Sequence, residues 1–151
     1  ANNNIRTLGV ALSPCILPEA GKPTFEIGDD EIEIGMGIHG EPGIKREKLK
    51  SANELVDDLY KRIIDDSKLK ANDNVAIMVN SLGATPLEEL YIVSKKLNEN
   101  LTISKIVNSK TYVGRYATSM EMAGMSITTL KLNETLKKYL FSKSECPFWN
   151  N

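Results

Sequence analysis

Residues 75–88 read VAIMVNSLGATPLE. Residues 75–79 are an apolar run of strand length. Asn80, Ser81 and Gly83 are turn formers. Thr85, Pro86 and Glu88 have the spacing of a capping box, with proline at the first helical position. A strand, a turn and a capped helix in direct succession predict an α/β fold, because each such unit lays a helix back on a sheet. Leu87, Leu90, Tyr91, Ser94 and Leu97 then share one side of a helix that should reach about Asn98. Open α/β sheets hold ligands at the carboxyl ends of their strands, and the turn from Asn80 to Thr85 occupies such a place. The same residues also fit a turn in which Gly83 does no more than permit the bend.

Working outward, Ser51 and Glu54 form a second capping box, followed at helical spacing by Leu55, Val56, Leu59, Tyr60, Ile63 and Ile64. Upstream, residues 31–38 alternate: Ile32, Ile34, Met36 and Ile38 point one way, Glu31 and Glu33 the other. This predicts a strand whose first half has one wet face. Residues 7–12 form a short apolar strand closed by Ser13 and Pro14. Pro14, Pro18, Gly21 and Pro23 mark an irregular connection. Downstream, residues 101–107 and 126–132 read as strands, and Asn133 caps a last short helix carrying Leu136 and Leu140. The predicted order is β, β, α, β, α, β, β, α: an α/β fold with one mixed β-sheet flanked by helices, in a single layered domain.

Composition narrows the function. The chain has 151 residues, 41% apolar and 26% charged, as expected of one domain with a hydrophobic core. Its 19 Lys and Arg against 20 Asp and Glu leave a net charge of -1 and no basic stripe, so nucleic acid is not an expected partner. No apolar run nears the roughly 20 residues that span a bilayer, so no membrane role is expected. No signal-peptide pattern opens the chain, and Cys15 and Cys146 are too few for a disulfide framework; reduced thiols in a cytoplasmic protein are expected. The opening ANNNIRTLGVAL lacks a methionine, which fits a tag scar, a mature N-terminus or a cut through a longer protein.

Few residues can carry chemistry. The acidic tract Glu26, Asp29, Asp30, Glu31 and Glu33 lacks calcium-loop spacing, and one histidine with two distant cysteines makes no zinc set, so no metal is expected. Cys15 has no activating cation beyond Lys22 and reads as a small buried residue. No phosphate-cradling glycine pattern occurs. His39, the only histidine, lies in FEIGDDEIEIGMGIHGEPG (residues 25–43) among Gly35, Gly37, Gly40 and Gly43, with Pro42 stiffening the turn and Glu41 near enough in sequence to orient the ring. Neutral imidazole is a nucleophile near pH 7. The residues leave two readings open: a reactive group on a sharp turn, or an exposed loop histidine with no role.

Three long segments resemble the dihydroxyacetone kinase family: TLGVALSPCILPEAGKPTFEIGDDEIEIGMGIHGEPGI at 7–44, VNSLGATPLEELYIV at 79–93, and YVGRYATSMEMAGMSITTLKL at 112–132. The likeness runs from Ile5 to about Lys138. It implies that residues 1–151 are the C-terminal domain of the subunit that binds dihydroxyacetone, with the N-terminal domain absent. It implies that His39, in the GIHGEPG motif, is both the catalytic and the substrate-binding residue, adding to the ketone to form a covalent hemiaminal. The activity implied is a phosphotransferase of the glycerone kinase type. No cofactor is expected on this chain. The phosphoryl donor, ATP or an ADP-bearing partner, would sit on a separate nucleotide-binding kinase subunit or domain, and a homodimer is the common assembly.

The family's acid/base residues belong to the other domain, so this chain alone is expected to be inactive. The tail FSKSECPFWNN (141–151) departs from the family's acidic-alanine-proline ending; Pro147, Phe148 and Trp149 alone resemble it. Two other roles fit the same residues. One is a regulatory paralogue that binds dihydroxyacetone covalently and acts as a transcription co-activator. The other is a fragment that retains only dimerisation, which exposed apolar surface would favour.

Overall fold

The computed structural model describes residues 1–38, 41–147 and 149–150, with Asn150 described in its backbone alone. Six strands build one mixed sheet: β1 (Ile5–Ala11), β2 (Glu31–Ile34), β3 (Lys45–Lys48), β4 (Asn74–Ser81), β5 (Val107–Gly114) and β6 (Gly124–Lys131), in the order β3-β2-β1-β6-β4-β5. Every neighbouring pair is antiparallel except β4 with β5. The helices are α1 (Ala52–Ser67), α2 (Leu87–Ile103) and α3 (Glu134–Leu140); a two-stranded ribbon, β7 (Glu145–Cys146) with β8 (Trp149–Asn150), ends the chain.

Side-chain alternation sorts the sheet into two faces. Val10, Ile32, Ile34, Val75, Ile77, Val79, Met125 and Ile127 form one core with Leu55, Val56, Leu59 and Ile63 of α1 and Leu90, Val93, Leu97 and Leu101 of α2. Both long helices therefore cover the same face. α3 buries no residue. A smaller cluster of Ala11, Cys15, Met36, Leu82 and Met122 seals one end of the other face, and Cys15 is the small buried residue expected, with Sγ 3.4 Å from Ser119 Oγ.

The α/β class and the mixed sheet match the expectation from sequence, and three details correct it. The strand expected at 101–107 is displaced: α2 runs on to Ile103 because Leu101 is 1% exposed in the helix-covered core and Asn100 donates to Asp57 of α1 at 2.7 Å, so the strand starts at Val107. The strand at 31–38 stops at Ile34, where Gly35 (φ +83°) turns the chain out of the sheet. An unexpected strand, β3, consists of Lys45, Arg46, Glu47 and Lys48. It has no apolar signal, being an edge strand held by cross-strand charges, with Glu33 opposite Arg46 and Glu31 opposite Lys48.

The two capping boxes part ways. Ser51 and Glu54 cap α1 reciprocally, as their spacing requires. Thr85 makes no cap for α2: its hydroxyl donates to Gly124 O at 2.7 Å and accepts from Gly124 N–H at 2.9 Å, bolting the start of α2 to the start of β6.

Candidate functional site

The face without helices is hollow. Its middle is floored by Thr7 and Gly9 of β1, Ser126 and Thr128 of β6, and Met78 and Asn80 of β4, below an open cavity of about 560 Å³. Register explains the hollow: Gly9 lies opposite Ser126, and Ser126 opposite Asn80, so a whole row across three strands carries small or polar side chains. The next row pairs Thr7 with Thr128, their hydroxyl oxygens 2.8 Å apart. None of the described lining residues carries an ionisable side chain. Such a cavity suits a small, uncharged, hydroxylated ligand better than a free anion.

Asn80, 3% exposed, builds one wall. Its amide donates to Ala117 O at 2.7 Å, while its carbonyl oxygen accepts from Tyr116 N–H at 2.8 Å and Ala117 N–H at 3.0 Å. One side chain thus fixes the backbone of the loop after β5. The turn beyond it serves packing as well as the site: Asn80 and Leu82 line the cavity, whereas a Cβ on Gly83 (φ +153°) would lie 2.0 Å from Met120 O. Ser81 closes the turn, donating to Thr85 O at 2.8 Å and accepting from Gly83 N–H at 3.2 Å.

The roof is the glycine-rich segment. Gly35, Met36, Gly37, Ile38 and Ile44 line the cavity from above, and Gly35 N–H donates to Gly9 O at 2.7 Å, tying roof to floor. His39 and Gly40 lie outside the described residues; Ile38, which precedes His39 in the chain, reaches the cavity. On the return arm, Glu33 accepts from Gly43 N–H at 2.8 Å and from the Arg46 guanidinium at 2.9 Å. The Arg46 hydrogen bond, with help from Gly43 and against burial, holds the Glu33 carboxyl below the ordinary carboxylate range.

Of the acidic tract, Glu26, Asp29 and Asp30 are exposed while Glu33 is buried; among the described residues no group of three or more His, Cys, Asp and Glu could hold a metal ion. No helix is long and apolar enough to cross a membrane, among the described residues. At the far edge of the open face, Trp149 of β8 packs on Tyr112 (centroids 4.5 Å apart) and Tyr116 (5.6 Å). Sequence reading took Asn80 as the start of a turn where a ligand could sit, and passed over Thr7, Ser126 and Thr128. Their signal was available in β1 and β6, where polar or small residues alternate with the core-facing ones.

A family model described as the Dak1 domain matches residues 1–148. The PTS-dependent dihydroxyacetone kinase 1, dihydroxyacetone-binding subunit DhaK, of Listeria innocua is 53% identical over 131 residues, 87% of this chain and 40% of its own length. The PEP-dependent dihydroxyacetone kinase, dihydroxyacetone-binding subunit DhaK, of Escherichia coli is 35% identical over 157 residues, 88% of this chain and 44% of its own. Among solved structures, the dihydroxyacetone kinase operon co-activator Dha-DhaQ superposes with a TM-score of 0.86 at 33% identity, covering 93% of this chain and 44% of that one. The dihydroxyacetone kinase from C. freundii in complex with AMP-PNP and Mg2+ gives 0.81 at 27% identity, covering 97% of this chain and 27% of that one. The chain spans less than half the length of each of these proteins.

Proposed function

The chain belongs to the Dak1 domain family, and on that premise we propose that residues 1–151 are the C-terminal domain of a dihydroxyacetone-binding kinase subunit. In this reading His39 holds dihydroxyacetone as a covalent hemiaminal for phosphorylation to dihydroxyacetone phosphate. The observation that carries it is the cavity roofed by residues 35–38, with no ionisable side chain among its described lining residues. Ile38, the residue before His39 in the sequence, lines that cavity. The names of the Listeria and E. coli relatives, both dihydroxyacetone-binding subunits, support the choice of ligand.

The chemistry follows from the groups. An imidazole nitrogen lone pair adds to the ketone carbon, forming a C–N bond as the C=O π pair moves to oxygen. That oxygen gains a proton and the other ring nitrogen loses one, so an N–H is added across the carbonyl. Glycerol has no carbonyl and cannot form the bond, which makes the step a filter between ketoses and polyols. The floor hydroxyls of Thr7, Ser126 and Thr128 and the Asn80 amide would meet a ligand's hydroxyl groups. Acid/base groups belong to the N-terminal domain in this reading, and the chain alone is inactive. The phosphoryl donor is carried by a nucleotide-binding subunit or domain, and the working assembly is a cytoplasmic homodimer.

The test is carbon-13 NMR of carbonyl-labelled dihydroxyacetone with the full-length subunit, this chain, and full-length His39→Ala. A carbonyl signal that moves to the tetrahedral region with the first and stays with the last supports the anchor; no tetrahedral signal with the intact subunit sinks it. The likeness to the Dha-DhaQ co-activator favours a second reading, a sensor that binds the ketose and contacts a transcription factor. Phosphorylation of dihydroxyacetone by the full-length protein with a nucleotide-binding kinase subunit separates the two.

A further inference from the structure

Alternation along β2 sends Glu33 to the open face, where a carboxylate belongs in water, yet it is 8% exposed. The return arm of the histidine segment covers it. One carboxylate oxygen accepts from Gly43 N–H at 2.8 Å; the other accepts from Arg46, its cross-strand partner on β3, at 2.9 Å. Beside this clamp, Ile44 N–H donates to Ile34 O at 2.7 Å. Glycine is obligatory at position 43, since a Cβ would lie 2.5 Å from Ile34 O and 2.6 Å from Glu33 Cγ. One carboxylate therefore joins the strand that leads into the segment to the arm that leads out of it.

An apolar residue at position 33 would fill the same space without the cost of desolvating a charge. What the carboxylate adds is direction. Two charge-assisted hydrogen bonds fix Gly43 and Arg46 against β2 within narrow limits of distance and angle. We propose that Glu33 is a positioning residue for the reaction of His39: by clamping Gly43 and Arg46 it fixes the arm by which the chain returns from the histidine segment to the sheet. This rests on the covalent reading of His39. Misplacing a reacting group by one ångström costs about 100-fold, so a loosened clamp should register in hemiaminal formation before it registers in folding.

The experiment uses the full-length subunit and labelled dihydroxyacetone, comparing wild type, Glu33→Gln and Arg46→Lys, with melting temperature measured in parallel. Glu33→Gln should lower the hemiaminal fraction per folded molecule about tenfold at fixed ketose, raise KM more than it lowers kcat, and speed hydrogen exchange at the Gly43 amide. A clamp that serves the fold alone would lower the melting temperature and leave the hemiaminal per folded molecule unchanged, which overturns the proposal. Should Glu33→Gln fail to fold, Arg46→Lys decides: a several-fold loss of hemiaminal at unaltered melting temperature supports the assignment, and an undiminished signal removes it. Wild type without a tetrahedral signal removes the covalent reading itself; wild type with the signal and both variants undiminished removes only Glu33.

Discussion

The central strands present Val10, Ile77 and Ile127 to the helices, and Gly9, Met78, Asn80, Ser126 and Thr128 to the opposite side. The same backbone hydrogen bonds support both faces, so the difference lies wholly in the side chains. The helix-covered face is filled to exclude water and carries the hydrophobic stabilisation. The open face leaves small residues where a core would put large ones, and it is there that the glycine-rich segment folds over the sheet. Stability and the proposed chemistry are thus divided between two surfaces one strand thick. A change on one face should leave the other's property nearly untouched, except at Asn80, which both lines the cavity and holds the loop after β5.

The sharpest challenge to that division is Leu59→Ala. Leu59 is 0% exposed between α1 and the sheet, so truncation should cost about 2–5 kcal/mol in denaturant unfolding. Dihydroxyacetone binding per folded molecule should be unchanged; a parallel loss would show that the two faces are coupled. Asn80→Ala comes next. It leaves the Tyr116 and Ala117 N–H groups without their acceptor, costing about 1–3 kcal/mol, and here binding should fall as well because the cavity wall is released. Retained binding would place the ligand elsewhere.

Ser51→Ala tests the division from the far side of the molecule. Loss of the α1 cap should cost about 1 kcal/mol, read as a shift in the denaturation midpoint, with binding unaltered. Thr7→Val removes one hydroxyl from the pair with Thr128 at the cavity floor. It should alter stability by only about 0.5 kcal/mol, as for a surface site, while weakening ligand binding measured by titration.

Acid supplies a graded test. Hydrogen bonds from Lys45 and Lys50 hold the Glu47 carboxyl down to about 2, and Arg46 lowers that of Glu33. Folded values below the unfolded ones mean that this stabilisation is complete above about pH 4.5 and is lost as pH falls toward 2. Both residues sit on the β2–β3 hairpin. Hydrogen-exchange protection, corrected for the intrinsic rate at each pH, should therefore fall between pH 4.5 and 2 at β2 and β3 ahead of β4 and β6. A uniform loss of protection would mean that acid acts on the whole sheet.

What the sequence made legible follows the same division. The helix-covered face announces itself through periodicity: Leu55, Val56, Leu59 and Ile63 mark α1, and Ser51 with Glu54 marks its start. Misreadings arose where tertiary partners outbid local pattern. Thr85 has the spacing of a cap, but Gly124 takes its hydroxyl. Leu101 looks like the start of a strand, but the core keeps it in α2. β3 offers no apolar residue at all, because an edge strand needs charge more than burial. In the site, GIHGEPG flagged the roof, whereas the floor stayed hidden because Gly9, Ser126 and Thr128 are unremarkable until strand register brings them side by side. Glu33 read as wet because alternation cannot foresee a loop folding back over it.

The sheet's centre has a temporal consequence. β1 lies between β2 and β6, and its Thr7 meets Thr128 across 121 residues of chain. During synthesis β1 must wait, one edge unpaired, until β6 has left the ribosome. Long-range pairing of this kind slows folding and prolongs exposure to misassociation.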